Sequence, residues 1–220
     1  MTSAVVFGAS GGLGMSLVSE LLGAGLLVKA VTRSPASPEI LREIGATHGR
    51  LQHEQVDHYT LSVHSLSTRY VFFAQGVLIE APIVKLRDGD IESAFAANVI
   101  EPIIMTRDIL DAHDAEPLDL IFTGSTAGYS GGVDMSIYCA TKFALRGFVE
   151  SMNAEYAGSH VRFSLVSTGT MNTRMGREYA DRHGRPVQSL MDPRDVAKRI
   201  VSSALRPDGI FSSEMILRYR

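Results

Sequence analysis

A chain of 220 residues, 45% apolar and 20% charged, can bury one sizeable core; it is too polar for a membrane bundle and too apolar for disorder. With a formal net charge of -3 and no sustained Lys/Arg run, nothing points to nucleic acid or an acidic membrane as partner, and a small-molecule ligand is expected. The lone Cys139 has no second cysteine for an internal disulfide, and the opening MTSAVVFGAS lacks the charged and apolar stretches of an export signal. Both features suit a reducing cytoplasm. The longest apolar runs, such as YVFFAQGVLI, fall short of the roughly 20 residues that span a bilayer, so a soluble protein is expected.

In chain order, AVVFG (4–8) reads as a strand and LGMSLVSELLGAG (13–25) as a helix, with a glycine turn between them. LLVKAVT (26–32) is the next strand, PEILREIGA (38–46) a helix, and RLQHEQVD (50–57) a weak strand. The stretch from Asp57 to Arg69 is short for a full crossover helix before the strand RYVFFAQG (69–76). A helix over 88–113 precedes the strand DLIFTGST (119–126), a Gly-rich loop, and a helix over 136–156. RFSLVST (162–168) is a strand, 174–191 a polar loop, PRDVAKRIVSSAL (193–205) a helix with Asp192 as N-cap and Pro193 at its first position, and SEMILRY (213–219) a last strand. Strands alternating with helices predict an α/β fold, a Rossmann-like doubly wound parallel sheet covered on both faces. No repeat or linker divides the chain, so residues 1–220 are read as a single domain.

The turn GASGGLG places Gly8, Gly12 and Gly14 between the first strand and the first helix. Missing side chains let a pyrophosphate approach the amides of a helix N-terminus, where the dipole favours negative charge. A plain strand-helix turn is the alternative, but this one opens the first βα unit, where doubly wound sheets bind dinucleotides. The end of the second strand sets the cofactor type. A site for NAD carries an acid there for the ribose hydroxyls, whereas a 2'-phosphate calls for a cation. This chain has Thr32 at that position, followed by Arg33 and Ser34, which predicts NADP(H). The competing reading is that Arg33 is an ordinary surface charge.

Tyr138 and Lys142 stand four residues apart in SIYCATKFALRGF, on one helical face. An ammonium beside a phenol lowers its pKa from roughly 10 toward a range useful for proton transfer. Upstream, Ser125 in TGSTAG offers a hydroxyl at a strand C-terminus, where such sheets bind ligands.

Together these residues resemble the classical short-chain dehydrogenases/reductases. The resemblance rests on GASGGLG, on Asn98 in AANVIEP, on Ser125 in TGSTAG, on YCATK, and on STGTMNTRM, with Ser125 and Tyr138 13 positions apart. It implies a single-domain NADP(H)-dependent oxidoreductase, a carbonyl reductase or alcohol dehydrogenase acting on a small carbonyl or alcohol. Tyr138 would be the general acid or base, Ser125 would orient the substrate oxygen, Lys142 would hold the nicotinamide ribose, and Asn98 would position a water. The cofactor would also meet Ser10 and Leu13 of the turn, Ala74 and Gly76, the segment Gly169 and Thr170, and Thr173. Asp57 resembles the residue that bonds the adenine amino group, with a strand-end turn residue as the alternative. The resemblance further implies a homodimer or homotetramer assembled through the helices 88–113 and 136–156, and a mobile substrate lid over 174–191, a fixed surface loop being the alternative.

Two departures stand out. FAQG puts Phe73 and Ala74 where the family has two asparagines, raising the question of what stiffens the central sheet. Thr168 replaces a common proline, which is expected to loosen that turn. Two rivals follow: a non-catalytic protein that senses NADP(H), permitted by FAQG but giving Ser125 and Tyr138 no task, and a sugar-nucleotide epimerase, for whose added substrate domain the chain is short. No metal site is expected from His53, His58 and His64, whose spacing suits no ligand set. Cys139, about 100 degrees around the helix from Tyr138, is expected to pack rather than react.

Overall fold

A computed structural model describes residues 2–33, 49–57, 68–113, 117–206 and 211–219. The strands are β1 Ser3–Phe7, β2 Leu27–Thr32, β3 Leu51–Gln55, β4 Tyr70–Phe73, β5 Leu118–Ser125, β6 Val161–Thr168 and β7 Glu214–Leu217. They form one sheet in the order β3-β2-β1-β4-β5-β6-β7, with every neighbouring pair parallel. Order reverses between β1 and β4. That reversal is the point at which an open α/β sheet leaves a crevice at its strand C-termini.

The helices are α1 Gly12–Gly23, α2 Asp88–Phe95, α3 Glu101–Asp111, α4 Ser136–Glu155, α5 Arg174–Arg182 and α6 Pro193–Ala204. The two-residue period of β1 decides which helices cover which face. Ala4 and Val6 join Leu17 and Leu21 of α1 and Val196 and Ile200 of α6 in one core. Val5 and Phe7 face the other way, into a core with Met105 and Ile109 of α3 and Leu145 and Val149 of α4. Strands buried on both faces explain why β1 and β4 read as unbroken apolar runs.

FAQG finds its reason in this second core. Phe7, Phe73 and Phe122 are register neighbours on β1, β4 and β5. Their rings stack in a row, with centroids 5.7 Å apart from Phe7 to Phe73 and 4.4 Å from Phe73 to Phe122. Aromatic stacking across three strands therefore occupies the place of asparagine hydrogen bonds, and it stiffens the sheet by packing. Thr168 is buried and sits in the ladder between Ser125 and Leu217.

Three expected elements differ. The helix expected over 88–113 is interrupted by a π-helical turn at Ala96–Ile100, centred on Asn98, a local distortion of the kind that often marks functional sites. The segment expected as a polar loop over 174–191 contains helix α5, which Thr173 caps by accepting from the Gly176 N–H at 3.2 Å. Its signal was weak because most of its residues are charged and only Gly176 and Ala180 are buried. The last strand spans only Glu214–Leu217. The helix expected over 38–46 lies outside the described residues, as does most of the segment between Asp57 and Arg69.

Candidate active site

A cleft of about 1070 Å³ opens along the C-terminal ends of β1, β4, β5 and β6. Gly8, Ser10, Gly12, Leu13, Arg33, Ala74, Gly76, Ser125, Tyr138, Lys142, Gly169, Thr170 and Thr173 all line it. Gly14, Thr32, Asp57 and Asn98 do not line it, and Ser34 lies outside the described residues.

The glycine turn is built for close approach. Gly8 has a φ of 75, and a Cβ on it would lie 2.6 Å from the Gln75 nitrogen. A Cβ on Gly14 would lie 2.2 Å from the Gly8 carbonyl oxygen, and one on Gly12 2.7 Å from Thr173 Cγ2. Helix α1 starts at Gly12 with Gly11 as N-cap and no side-chain cap, so its first N–H groups are left to whatever enters the cleft. A pyrophosphate fits that uncapped, side-chain-free helix N-terminus. Residues that could hold the rest of a dinucleotide are Arg33 at its adenosine end and Lys142, Thr170 and Thr173 at the other.

Arg33 Nη1 contacts Glu101 Oε1 at 3.1 Å, which anchors the guanidinium at the cleft edge. Thr32 is fully buried, with Oγ1 3.0 Å from His53 Nε2. It does not line the cleft. Asp57 is exposed just beyond β3. His58 and His64 lie outside the described residues.

Ser125 ends β5 and caps the next turn by accepting from the Ala127 N–H at 3.1 Å. The first turn of α4 brings the Tyr138 phenol into the same cleft, where Ser125 acts on its ionisation. Lys142, one turn further along, is buried, donates from Nζ to the Thr123 carbonyl at 3.0 Å, and stands 5.8 Å from the Tyr138 ring centroid. Burial pushes the Tyr138 pKa up from 10.0, against the opposing hydrogen bond from Ser125. The expected lowering by Lys142 is thus overturned, because desolvation of the phenolate outweighs the rest. Burial also lowers the Lys142 ammonium to about 8.

Asn98 stands in the π-helical turn, buried. Its Oδ1 accepts from the Val77 N–H at 2.8 Å, and its Nδ2 donates to the Val77 carbonyl at 2.9 Å and to Thr141 Oγ1 at 3.1 Å. Both amide hydrogens are thus spent on clamping the loop after β4 to α4. Gly76 permits that clamp, since a Cβ there would lie 3.0 Å from Asn98 Oδ1. Cys139 Sγ turns to the Ser130 carbonyl at 3.7 Å.

Sequence reasoning missed Gln75 and Arg194 on the cleft wall, whereas Met175, Tyr179 and Arg185, also on it, belong to the segment 174–191 expected as a lid. It also missed the half-buried Glu80, which pairs with Arg182 at 2.7 Å and with His183. This contact pins the end of α5 to the loop after β4. A lone acid and a basic helix end over 100 positions apart leave no local pattern.

A parallel sheet with a glycine turn at its switch point, and a Ser, Tyr and Lys meeting beyond β5, defines a Rossmann-type oxidoreductase site. A family profile described as short chain dehydrogenase matches residues 2–184, and the chain belongs to the short-chain dehydrogenase/reductase family. It is 23% identical over 207 residues to mouse 3-oxoacyl-[acyl-carrier-protein] reductase, covering 89% of this chain and 88% of that one. It is 25% identical over 211 residues to carbonyl reductase family member 4 of Xenopus tropicalis, with the same 89% and 88% coverage. Among solved structures, the closed form of serine dehydrogenase complexed with NADP+ superposes with a TM-score of 0.85 at 22% identity, covering 98% of this chain and 94% of that chain. No described helix is long and apolar enough to cross a membrane.

Proposed function

We propose that the protein is an NADP(H)-dependent carbonyl reductase or alcohol dehydrogenase acting on a small carbonyl or alcohol. The observation that carries this reading is the convergence of Ser125, Tyr138 and Lys142 on the cleft that begins at the uncapped N-terminus of α1.

A nicotinamide bound in this cleft supplies or takes up the hydride. Tyr138, held protonated by burial, donates its phenolic proton to the carbonyl oxygen during reduction, and as phenolate accepts it back during oxidation. Ser125 directs that oxygen to the phenol and shares its developing charge. Lys142 places a positive charge beside the phenolate in the cleft. Asn98 is a positioning residue that fixes the loop after β4 against α4. Arg33, without an acid at position 32, favours a 2'-phosphate, so Arg33→Ala is expected to weaken NADPH binding far more than NADH binding.

Ile100 and Phe143, large apolar residues exposed near α3 and on α4, support a homodimer or homotetramer through these helices, which light scattering would test.

The decisive experiment follows NADPH oxidation against aldehydes, ketones and diketones, with wild type beside Tyr138→Phe. Turnover that is lost in the variant while NADPH still binds supports the reading. Equal turnover by both proteins removes Tyr138 from the chemistry, and NADPH binding without turnover by either favours a sensor.

A further inference from the structure

Arg33 and Glu101 reach the cleft edge from different elements. Arg33 follows the C-terminal end of β2, and Glu101 opens α3, 68 positions further along the chain. Their contact runs from Nη1 to Oε1 at 3.1 Å, with the arginine side chain 36% exposed and the glutamate side chain 16%. The second carboxylate oxygen of Glu101, Oε2, is buried and has no hydrogen-bond partner among the described residues. Pro102 and Met105 of the same helical stretch are buried, so α3 presents this carboxylate from a packed helix rather than from a loop.

Arg33 lines the cleft and Glu101 does not. The guanidinium therefore answers to two anions. Its planar fork of N–H donors is able to hold a carboxylate and a phosphate together. Charge is shared less easily than donors. The carboxylate offsets the positive charge of the guanidinium, and a second anion bound to the same guanidinium stands within reach of its repulsion, which partial burial leaves only partly screened. A neutral ribose hydroxyl at the same place meets no such repulsion.

We infer that Glu101 sets the margin by which the protein prefers NADP(H) over NAD(H), its carboxylate restraining the Arg33 guanidinium that receives the 2'-phosphate. This inference rests on the NADP(H) reading above and adds the residue that limits its selectivity. The preference for phosphate comes from Arg33 and its limit from Glu101, two residues that no local motif joins.

The test is a fluorescence titration of NADPH and of NADH into the wild-type protein, Glu101→Gln and Glu101→Ala. Glu101→Gln keeps the shape of the side chain and removes its charge, whereas Glu101→Ala removes both. Both variants are expected to bind NADPH about tenfold tighter than wild type through relief of like-charge repulsion, with NADH unchanged within about twofold. The gain should shrink below about threefold in about 1 M salt, which screens the charge. NADPH affinity that stays level or falls in Glu101→Gln overturns the inference, because the carboxylate would then be idle or would hold the guanidinium ready for the phosphate. A gain confined to Glu101→Ala, or one that NADH shares, also overturns it, because it would come from the room the side chain leaves rather than from its charge. Such a failure, with NADPH oxidation still dependent on Tyr138, leaves the reductase reading standing. The expected selectivity shift in a protein that reduces no carbonyl would keep the inference and remove the reductase reading.

Discussion

The Lys142 ammonium lies 5.8 Å from the centre of the Tyr138 ring and donates its hydrogen bond to the Thr123 carbonyl. The two groups thus share one helical face without a direct bond between them. With Lys142 lowered to about 8 and Tyr138 raised above 10.0, the ammonium loses its proton first as pH rises. The kcat/KM of carbonyl reduction is therefore expected to be level at neutral pH and to fall as pH passes about 8. A profile level to pH 10 would show that the charge on Lys142 does not assist the proton donor.

The same burial has a cost in stability. A shift from 10.5 to about 8 corresponds to about 3 kcal/mol spent at neutral pH. Because the folded pKa is below the unfolded one, the unfolded chain binds more protons between these values, and stability rises with pH across that window. Lys142→Met is expected to abolish activity while raising the unfolding free energy at pH 7 by up to about 3 kcal/mol. The gain should vanish by about pH 10.5. Urea titrations at pH 7 and pH 10.5, without added dinucleotide, check both signs.

Asn98→Ala removes three hydrogen bonds and leaves the Val77 N–H without its side-chain acceptor. At about 1 kcal/mol each, with a further penalty of about 1 kcal/mol or more for the orphaned donor, the loss should reach about 4 kcal/mol. Dinucleotide affinity should fall with it, because Gly76 and Val77 line the cleft. Urea unfolding and a fluorescence titration with NADPH measure the two effects.

Two glycines of one turn should respond differently to alanine. At Gly14 the new Cβ meets the backbone oxygen of Gly8 at 2.2 Å, whereas at Gly12 it meets the end of the Thr173 side chain at 2.7 Å. A carbonyl in a tight turn has less room to move than a threonine methyl. Gly14→Ala is therefore expected to lower Tm by several degrees more than Gly12→Ala, while Gly12→Ala weakens dinucleotide binding with a smaller loss of stability.

Glu80 holds Arg182 and His183 at the end of α5. These partners lower its pKa against the opposing effect of burial, so the contact persists at neutral pH and weakens as acid protonates Glu80. Glu80→Gln should speed protease cleavage within residues 174–191 and raise KM more than it lowers kcat. Unchanged cleavage would show that α5 is held by its buried Gly176 and Ala180 alone.

The sequence by itself determined the strand and helix alternation, the glycine turn, and the coincidence of Ser125, Tyr138 and Lys142, because each rests on local spacing. A period of two buries both faces of β1, and four residues make one helical turn. Only the tertiary structure decided what those residues experience. The Tyr138 pKa rises because the fold removes water from the phenol, which no neighbour in sequence reveals. Phe73 reads as a departure until β1 and β5 bring Phe7 and Phe122 beside it. Asn98 spends its amide on Val77 and Thr141, and Arg185 reaches Thr170, through contacts between residues 15 to 43 positions apart. Desolvation and side-chain pairing depend on where distant segments meet, whereas periodicity depends only on the chain's own geometry.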